Sequence, residues 1–298
     1  MKLTKKLLPA LGMLALSTCM MVTSTFAWFS MNTNVTASNM KVQAKGDQVY
    51  LQIVNPDADT EAGRDAEFVN GKAQTSAVAE TDMAKLLPVN VVDSIKTGNA
   101  ECNAYTGTAT YKWVTNYLET KANGDTALTG YQEVDDLKLY ALANTFKIRL
   151  DPTAGAEEAG NALSISSIKA NITGIPGTVA ADDQAFKKCL SVFVLSTVTT
   201  TTPGENGAEP TVETETFGTV WENTNGDGTL VKKSGKNALS PDENFLNTQV
   251  AVVEIYVFFN GDHAACTQAM LAKIKDAQYD VTVNFTVATE VTDTVAGA

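Results

Sequence analysis

The side chains that could act in catalysis near neutral pH are few in this chain. It has one histidine, His263, and a Ser-His-Asp or Cys-His centre would require it, because no other side chain titrates near neutrality unless perturbed. Cys266 stands three residues later, so a Cys/His pair within one helical turn is conceivable. A solvated histidine at a helix start is the simpler interpretation, since nothing supplies the rest of such a centre. The zinc motif HExxH needs two histidines, and the glycine-rich phosphate-binding motifs are not present. The sequence therefore predicts that the protein is not an enzyme.

One segment resembles the first half of a calcium loop. Asn223, Asn225 and Asp227 place oxygen atoms at alternate positions, and Gly228 follows at the sixth. The twelfth position is Ser234, where a bidentate glutamate would belong. A hairpin turn is the favoured interpretation, and Ca²⁺ is the only cofactor that the sequence suggests.

The chain has four cysteines, of which Cys19 lies in the N-terminal apolar segment described below. Cys102, Cys189 and Cys266 remain, and an odd number in an exported chain allows at most one internal bridge and a spare thiol. Their spacings of 87 and 77 residues match no metal motif. We interpret these three cysteines as small buried apolar residues in preference to a disulfide bridge or a set of metal ligands. The disulfide state stays open.

Residues 1–27 have the layout of a secretory signal peptide. Three lysines precede an apolar run over 7–16, and the segment ends with a small-aromatic-small pattern at Ala27. We predict that a signal helix is cleaved between Ala27 and Trp28, so that the chain contacts the membrane only during export. An anchor retained over 7–29 is the alternative, because 23 residues are long enough to span.

The charge of the chain restricts its partners. The formal net charge is −12, and loss of residues 1–27 removes three lysines and no acidic residue, which leaves 19 basic against 34 acidic residues and a net charge of −15. Such a surface repels nucleic acid and anionic lipid. We therefore expect neither as a partner.

Two C-terminal segments carry the clearest strand patterns. Apolar and polar residues alternate from 279 to 291, which predicts a strand with one buried face. The run 250–259 is almost entirely apolar and predicts a strand covered on both faces. Between them, Asp262 can cap a short helix that continues to Ile274.

Further strands are predicted upstream, with short helices in the connections. Strands are expected over 49–54, 137–143, 146–150, 163–172, 190–198 and 212–221, with a bulge at Asn144-Thr145, tight turns at Asn123-Gly124 and Asn225-Gly226, and helices over 81–87 and around 186–190. The pattern predicts a mainly β protein, a jelly-roll-like β-sandwich that forms a single domain over 28–298. The segment 199–216 is expected to be an exposed loop.

The residues around the predicted cleavage site resemble a known group of exported proteins. The run TFAWFSMNTNVTASNMKVQA, residues 25–44, is similar to the N-terminus of Firmicutes proteins of the TasA/camelysin type, which a dedicated signal peptidase processes and which form biofilm-matrix fibres. The resemblance implies that Ala27 ends the signal, that Trp28 begins the mature chain, and that the folded domain begins at 40–44. Camelysin-type proteins have been classed as metallopeptidases, but a recognisable zinc set is missing here.

The resemblance implies a jelly-roll subunit whose N-terminal arm, residues 28–36, inserts as a strand into a neighbouring copy. Trp28, Phe29, Met31 and Val35 would anchor this arm in apolar pockets. Because the arm and an open sheet edge are different surfaces, such a contact propagates as a filament. We thus expect a secreted or cell-surface structural protein that forms a homopolymer. A monomeric adhesin or glycan-binding module that uses loop 199–216 is the alternative.

Overall fold

The computed structural model describes part of the chain, and every structural statement below concerns these residues: 40–45, 51–54, 69–70, 74–76, 86–96, 101–120, 126–150, 162–173, 186–202, 204, 209–236, 238–241, 245–246, 249–263, 266 and 278–288. The predicted signal peptide, its cleavage site between Ala27 and Trp28, and the predicted arm over 28–36 lie outside them.

Strands dominate the described residues, so the predicted mainly β fold class is confirmed. In chain order they are β1 (Met40–Lys45), β2 (Leu51–Val54), β3 (Val69–Asn70), β4 (Gln74–Ser76), β5 (Asn90–Ile95), β6 (Cys102–Ala104), β7 (Lys112–Thr120), β8 (Thr126–Glu133), β9 (Ala141–Leu150), β10 (Ala162–Thr173), β11 (Leu190–Thr202), β12 (Thr211–Glu222), β13 (Thr229–Gly235), β14 (Gln249–Phe259) and β15 (Gln278–Ala288). Helical structure in the described ranges is limited to single 3-10 turns at Leu137–Leu139 and at 186–189.

Eleven of the strands form one large sheet that closes into a sandwich. Their order is β3-β2-β9-β14-β11-β12-β13-β10-β15-β1-β4. One half of this sheet runs from β3 to β12 and the other from β10 to β4. They meet at β13, which pairs with β12 on one side and with Ile168 and Lys169 of β10 on the other. Both halves contribute to one core, for example through Ile255 of β14 and Phe285 of β15. The burial of this shared core holds the two halves face to face.

A second sheet, in the order β6-β5-β7-β8, covers the outer face of one half. A separate aromatic core lies between them and contains Trp113 of β7, Phe193 of β11, and Tyr256 and Phe258 of β14. The ring centroids of Trp113 and Phe258 are 5.3 Å apart and those of Phe193 and Tyr256 5.9 Å. The central strands of this half are thus covered on both faces where the small sheet lies, which explains their largely apolar sequence. The prediction of two buried faces for 250–259 is confirmed from Ile255 to Phe259, whereas Val250, Val252 and Glu254 are only partly buried.

The alternating C-terminal segment forms β15, as predicted. Tyr279, Val281, Val283 and Phe285 are buried, and the residues between them are partly exposed. The first described strand, β1, runs parallel to β15 with Met40 opposite Val281 and pairs with β4 on its other side. A strand therefore begins at the position where the resemblance places the start of the folded domain.

The predicted bulge at Asn144-Thr145 is wrong. β9 pairs with β14 from Ala141 to Ile148 without a register shift. Asn144 occupies an inward position of this regular strand and is only 6% exposed. The apparent change of parity arose because Leu137 and Leu139 belong to a 3-10 turn and not to the strand, and because a polar residue stands at an inward position.

The prediction of an exposed loop over 199–216 is wrong for most of the segment. Residues 199–202 of β11 and 211–216 of β12 are paired strands at the outer end of a long hairpin, with Thr202 opposite Thr211. The exposure itself is confirmed for 201–202 and 209–215, whereas residues 199, 200, 204 and 216 are only partly exposed. Threonine is β-branched and favours extended backbone, so the threonine-rich run continues the ladder.

The predicted short helices are found only in part. Residues 86 and 87 are not helical, and the rest of the predicted helix over 81–87 lies outside the described residues. The helix expected around 186–190 is a single 3-10 turn that leads into β11. Asp262 and His263 lie in a turn, and residues 267–277 fall outside the described ranges.

Candidate functional site

The outer edge of β8 is an eight-residue strand edge that stays without a partner among the described residues. β8 pairs with β7 from Thr126 to Glu133 and stands last in the small sheet. The other terminal strands, β3, β4 and β6, have two or three residues each. An unpaired edge exposes a row of backbone donors and acceptors that can bind another strand.

The edge of β8 has a bulge at Thr129, where its ladder with β7 shifts register, but it lacks the two other devices that commonly prevent such pairing, namely charge and proline. Residues 126–132 contain no charged residue and no proline. The outer half of β12, which pairs with β11 alone, is different: Pro210 precedes it, and Glu213 and Glu215 are exposed along it. Charges and proline at an edge oppose the addition of a strand. The β8 edge is therefore the better acceptor.

The hydrogen bonds of the β7–β8 ladder show which groups of β8 face outward. The N–H of Val134 donates to the carbonyl of Trp113 at 2.8 Å, and Tyr131 stands opposite Asn116. Because hydrogen-bonded and non-hydrogen-bonded pairs alternate in an antiparallel ladder, the N–H and C=O of Tyr131 point away from β7. They are thus free of the ladder and accessible to an added strand.

Tyr131 also connects this edge to the turn after β14. Its hydroxyl lies 3.4 Å from a carboxylate oxygen of Asp262, at the upper limit for a hydrogen bond. Burial, and then the negative charge of Asp262, raises the pKa of this phenol above its ordinary value. Lys112 of β7 pairs with Glu133 at the end of β8, and both side chains are well exposed, so this ion pair contributes little stability.

The residues predicted as calcium ligands form a hairpin turn between β12 and β13. The side-chain oxygen of Asn223 accepts the N–H of Gly228 at 3.1 Å, and its amide nitrogen donates to the carbonyl of Lys187 at 3.0 Å. The carboxylate of Asp227 accepts the N–H of Thr229 at 2.8 Å. Asn225 lies exposed at the tip. The buried Asn223 amide thus bonds to Gly228 within the turn and to Lys187 outside it.

The structure brings together two cysteines and the histidine, which the sequence analysis did not expect. The Sγ atom of Cys189 lies 3.7 Å from Nδ1 of His263, and the N–H of Cys266 donates to the carbonyl of His263 at 2.8 Å. A hydrogen bond between the thiols of Cys266 and Cys189, together with burial, raises the pKa of Cys189 far above its ordinary value. Cys102 lies elsewhere, on β6.

A buried carboxylate near this cluster was also missed from the sequence. Glu222, at the end of β12, is 7% exposed; it accepts a hydrogen bond from the side chain of Asn260 at 2.8 Å and pairs with Lys233 at 3.2 Å. The alternation of β12 could have indicated that Glu222 lies on the face toward the small sheet, because Val220 shares that face. The bonds tie the ends of β12 and β14 together.

Two kinds of site are not found in the part of the chain that the structure describes. No three His, Cys, Asp or Glu side chains there are grouped so that they could hold a metal ion. No helix there is long and apolar enough to cross a membrane.

Comparison with known proteins adds no relative. No protein-family model matches the chain, no curated protein does, and no solved structure does.

Proposed function

We propose that the protein is a secreted structural subunit of an extracellular or surface fibre, assembled when residues 28–36 of one copy pair as a strand with the outer edge of β8 in the next. The observation that carries the proposal is this eight-residue edge, which pairs on one side only within the described residues and has neither charge nor proline over 126–132.

The arm and the edge match in length and in pattern. Nine extended residues span about 30 Å, and the eight residues of β8 span about 26 Å. In an extended arm Phe29, Met31 and Val35 fall on one face, because alternate side chains point the same way. They would extend the apolar face that the small sheet packs against the sandwich, and Trp28 would anchor the end of the arm.

The contact is heterologous and continues from one copy to the next. β1, which follows the arm in the chain, is placed between β15 and β4 of the large sheet, whereas the acceptor edge belongs to the small sheet. Two different surfaces that bind each other in this way produce an open filament and not a closed dimer. The sequence features of residues 1–27 support export, with processing by a dedicated signal peptidase.

The proposal is tested with two variants of the exported protein. Deletion of 28–36 with the signal peptide kept should leave folded monomer and no filaments in electron micrographs. Tyr131→Pro removes an outward N–H from the acceptor edge without removing a bond to β7, so it should lower the rate of filament growth at least tenfold. Tyr131→Ala is the matched control: it removes the same phenol, keeps the N–H, and should polymerise like the parent chain.

Circular dichroism establishes that each variant is folded before assembly is measured. Normal filaments from the chain without 28–36 would refute the role of the arm, and normal growth of folded Tyr131→Pro would refute the β8 edge as acceptor. If the parent chain forms no filament at any concentration but binds a glycan, the monomeric adhesin is the correct function.

A further inference from the structure

The three thiols of the described residues differ in exposure, and those of Cys189 and Cys266 belong to the same core. Cys189 ends the 3-10 turn before β11 and is completely buried. Its carbonyl accepts the N–H of Asn260 at 2.8 Å, which holds the start of β11 to the end of β14. Cys266 follows the turn after β14 and packs against the same main core.

The turn after β14 brings the second thiol to the first. The N–H of His263 donates to the carbonyl of Asn260 at 3.2 Å, and that of Cys266 donates to the carbonyl of His263 at 2.8 Å. The chain therefore folds back over Cys189, whose Sγ atom lies 3.7 Å from Nδ1 of His263, three residues before Cys266. Cys189 and Cys266 are 77 residues apart in the chain, and the pairing of β11 with β14 brings their two segments to the same core.

We propose that Cys189 and Cys266 form the single internal disulfide of this protein by exchange with an external disulfide, with His263 as the proton acceptor and Cys102 as the spare thiol. The proposal does not depend on fibre formation.

Exposure sets the order of the two exchange steps. Cys266 is partly exposed, so an external disulfide can reach it. Its thiolate attacks one sulfur of that disulfide, which releases one thiolate and leaves a mixed disulfide on Cys266. The buried Cys189 then attacks Sγ of Cys266, and the second external thiolate leaves. Two electrons pass from the pair of cysteines to the external disulfide, which becomes two thiols.

His263 serves the second step. The thiol of Cys189 keeps its proton at ordinary pH, because the neighbouring Cys266 side chain and burial both raise its pKa. Nδ1 of His263, 3.7 Å from that sulfur, can accept the proton when the ring carries its other proton on Nε2. A ring nitrogen of His263 beside the buried thiol is thus placed to generate the attacking thiolate.

The test uses the full reduced chain treated with oxidised glutathione, followed by alkylation, digestion and mass spectrometry. The expected product is one cross-linked pair of peptides that contain Cys189 and Cys266, with Cys102 alkylated. Cys102→Ser should give the same cross-link. His263→Gln should leave the glutathione adduct on Cys266 at least tenfold longer than in the parent chain, because the second step lacks its base.

A physical measurement provides an independent readout. The oxidised chain should melt roughly 10 °C above the reduced chain, because the bond restricts a long loop of the unfolded state. The difference should persist in Cys102→Ser and vanish in Cys266→Ser. A cross-link that contains Cys102 or Cys19, or complete alkylation of Cys189 and Cys266 in the oxidised folded chain, would overturn the proposal. An unchanged lifetime of the adduct in His263→Gln would overturn the role of the histidine.

Discussion

At the scale of single residues, a glycine of the large sheet lies directly against a buried tyrosine of the aromatic core. Tyr105 follows β6 and is 2% exposed, and its hydroxyl donates to the carbonyl of Thr108 at 2.9 Å. The ring lies over Gly218 of β12: a Cβ atom at that position would stand 2.0 Å from the hydroxyl oxygen. The missing side chain at 218 therefore makes room for Tyr105 in the aromatic core.

We expect Gly218→Ala to destabilise the protein by about 2–3 kcal/mol, because the added methyl group overlaps the Tyr105 hydroxyl. In the Tyr105→Phe background the same change should cost about 1 kcal/mol less, since the overlapping oxygen is gone. Urea unfolding of the four members of this double-mutant cycle measures both values. Equal costs in the two backgrounds would show that Tyr105 is not the group that excludes a side chain from position 218.

At the scale of secondary-structure elements, β11 joins the two cores through adjacent residues. Phe193 and Val194 are both fully buried, but they face opposite sides of the sheet. The ring of Phe193 contacts Tyr105 and Trp113, with centroids 5.2 and 5.7 Å apart. Because Phe193 is a central contact between the small sheet and the sandwich, the two residues allow the two layers to be weakened separately.

Phe193→Ala should lower the free energy of unfolding by about 3–5 kcal/mol and should raise amide hydrogen exchange mainly in β5, β7 and β8. Val194→Ala is the control; we expect it to cost about 2 kcal/mol and to leave the small sheet no more exchangeable than the rest. Hydrogen exchange followed by mass spectrometry distinguishes the two patterns. Uniform exchange in both variants would mean that the layers unfold as one cooperative unit.

At the scale of the whole molecule, buried tyrosines limit stability in alkali. Burial raises the pKa of Tyr105, Tyr256 and Tyr279 well above their ordinary values, with further contributions from Asp93 at the first and from Glu254 at the second. Each folded phenol keeps its proton at a pH where the unfolded phenol has lost it. The stability that they contribute is therefore complete below about pH 10 and is lost as the pH rises further.

Tyr279→Phe should reduce this alkaline loss, because it removes one group that ionises only on unfolding. Above pH 10 the slope of unfolding free energy against pH should become less steep by up to about 1.4 kcal/mol per pH unit. Tyr140 is only partly buried, so Tyr140→Phe should change the slope much less. Chemical denaturation at several pH values between 9 and 11 provides the slopes, and identical slopes for Tyr279→Phe and the parent chain would contradict the assignment.

Several elements could be predicted because their signals are local. The alternation that produces β15, the apolar run of β14 and the Asn225-Gly226 turn depend on neighbouring residues only, and all three are found. Asn144 shows where local patterns fail. It is a polar residue at an inward position, so the alternation of β9 looks interrupted in the sequence although the strand is regular. The local pattern does not show which partner strand covers a given face.

The sequence alone therefore determined the mainly β class, most of the long strands and the arm that is proposed to join one copy to the next. Only the tertiary structure showed that β8 pairs on one side only within the described residues, that much of the expected loop over 199–216 is paired strand, and that Cys189 lies close to His263. These features depend on which strands pair across long stretches of chain. Such pairing is a property of the whole sheet, and no single segment contains it.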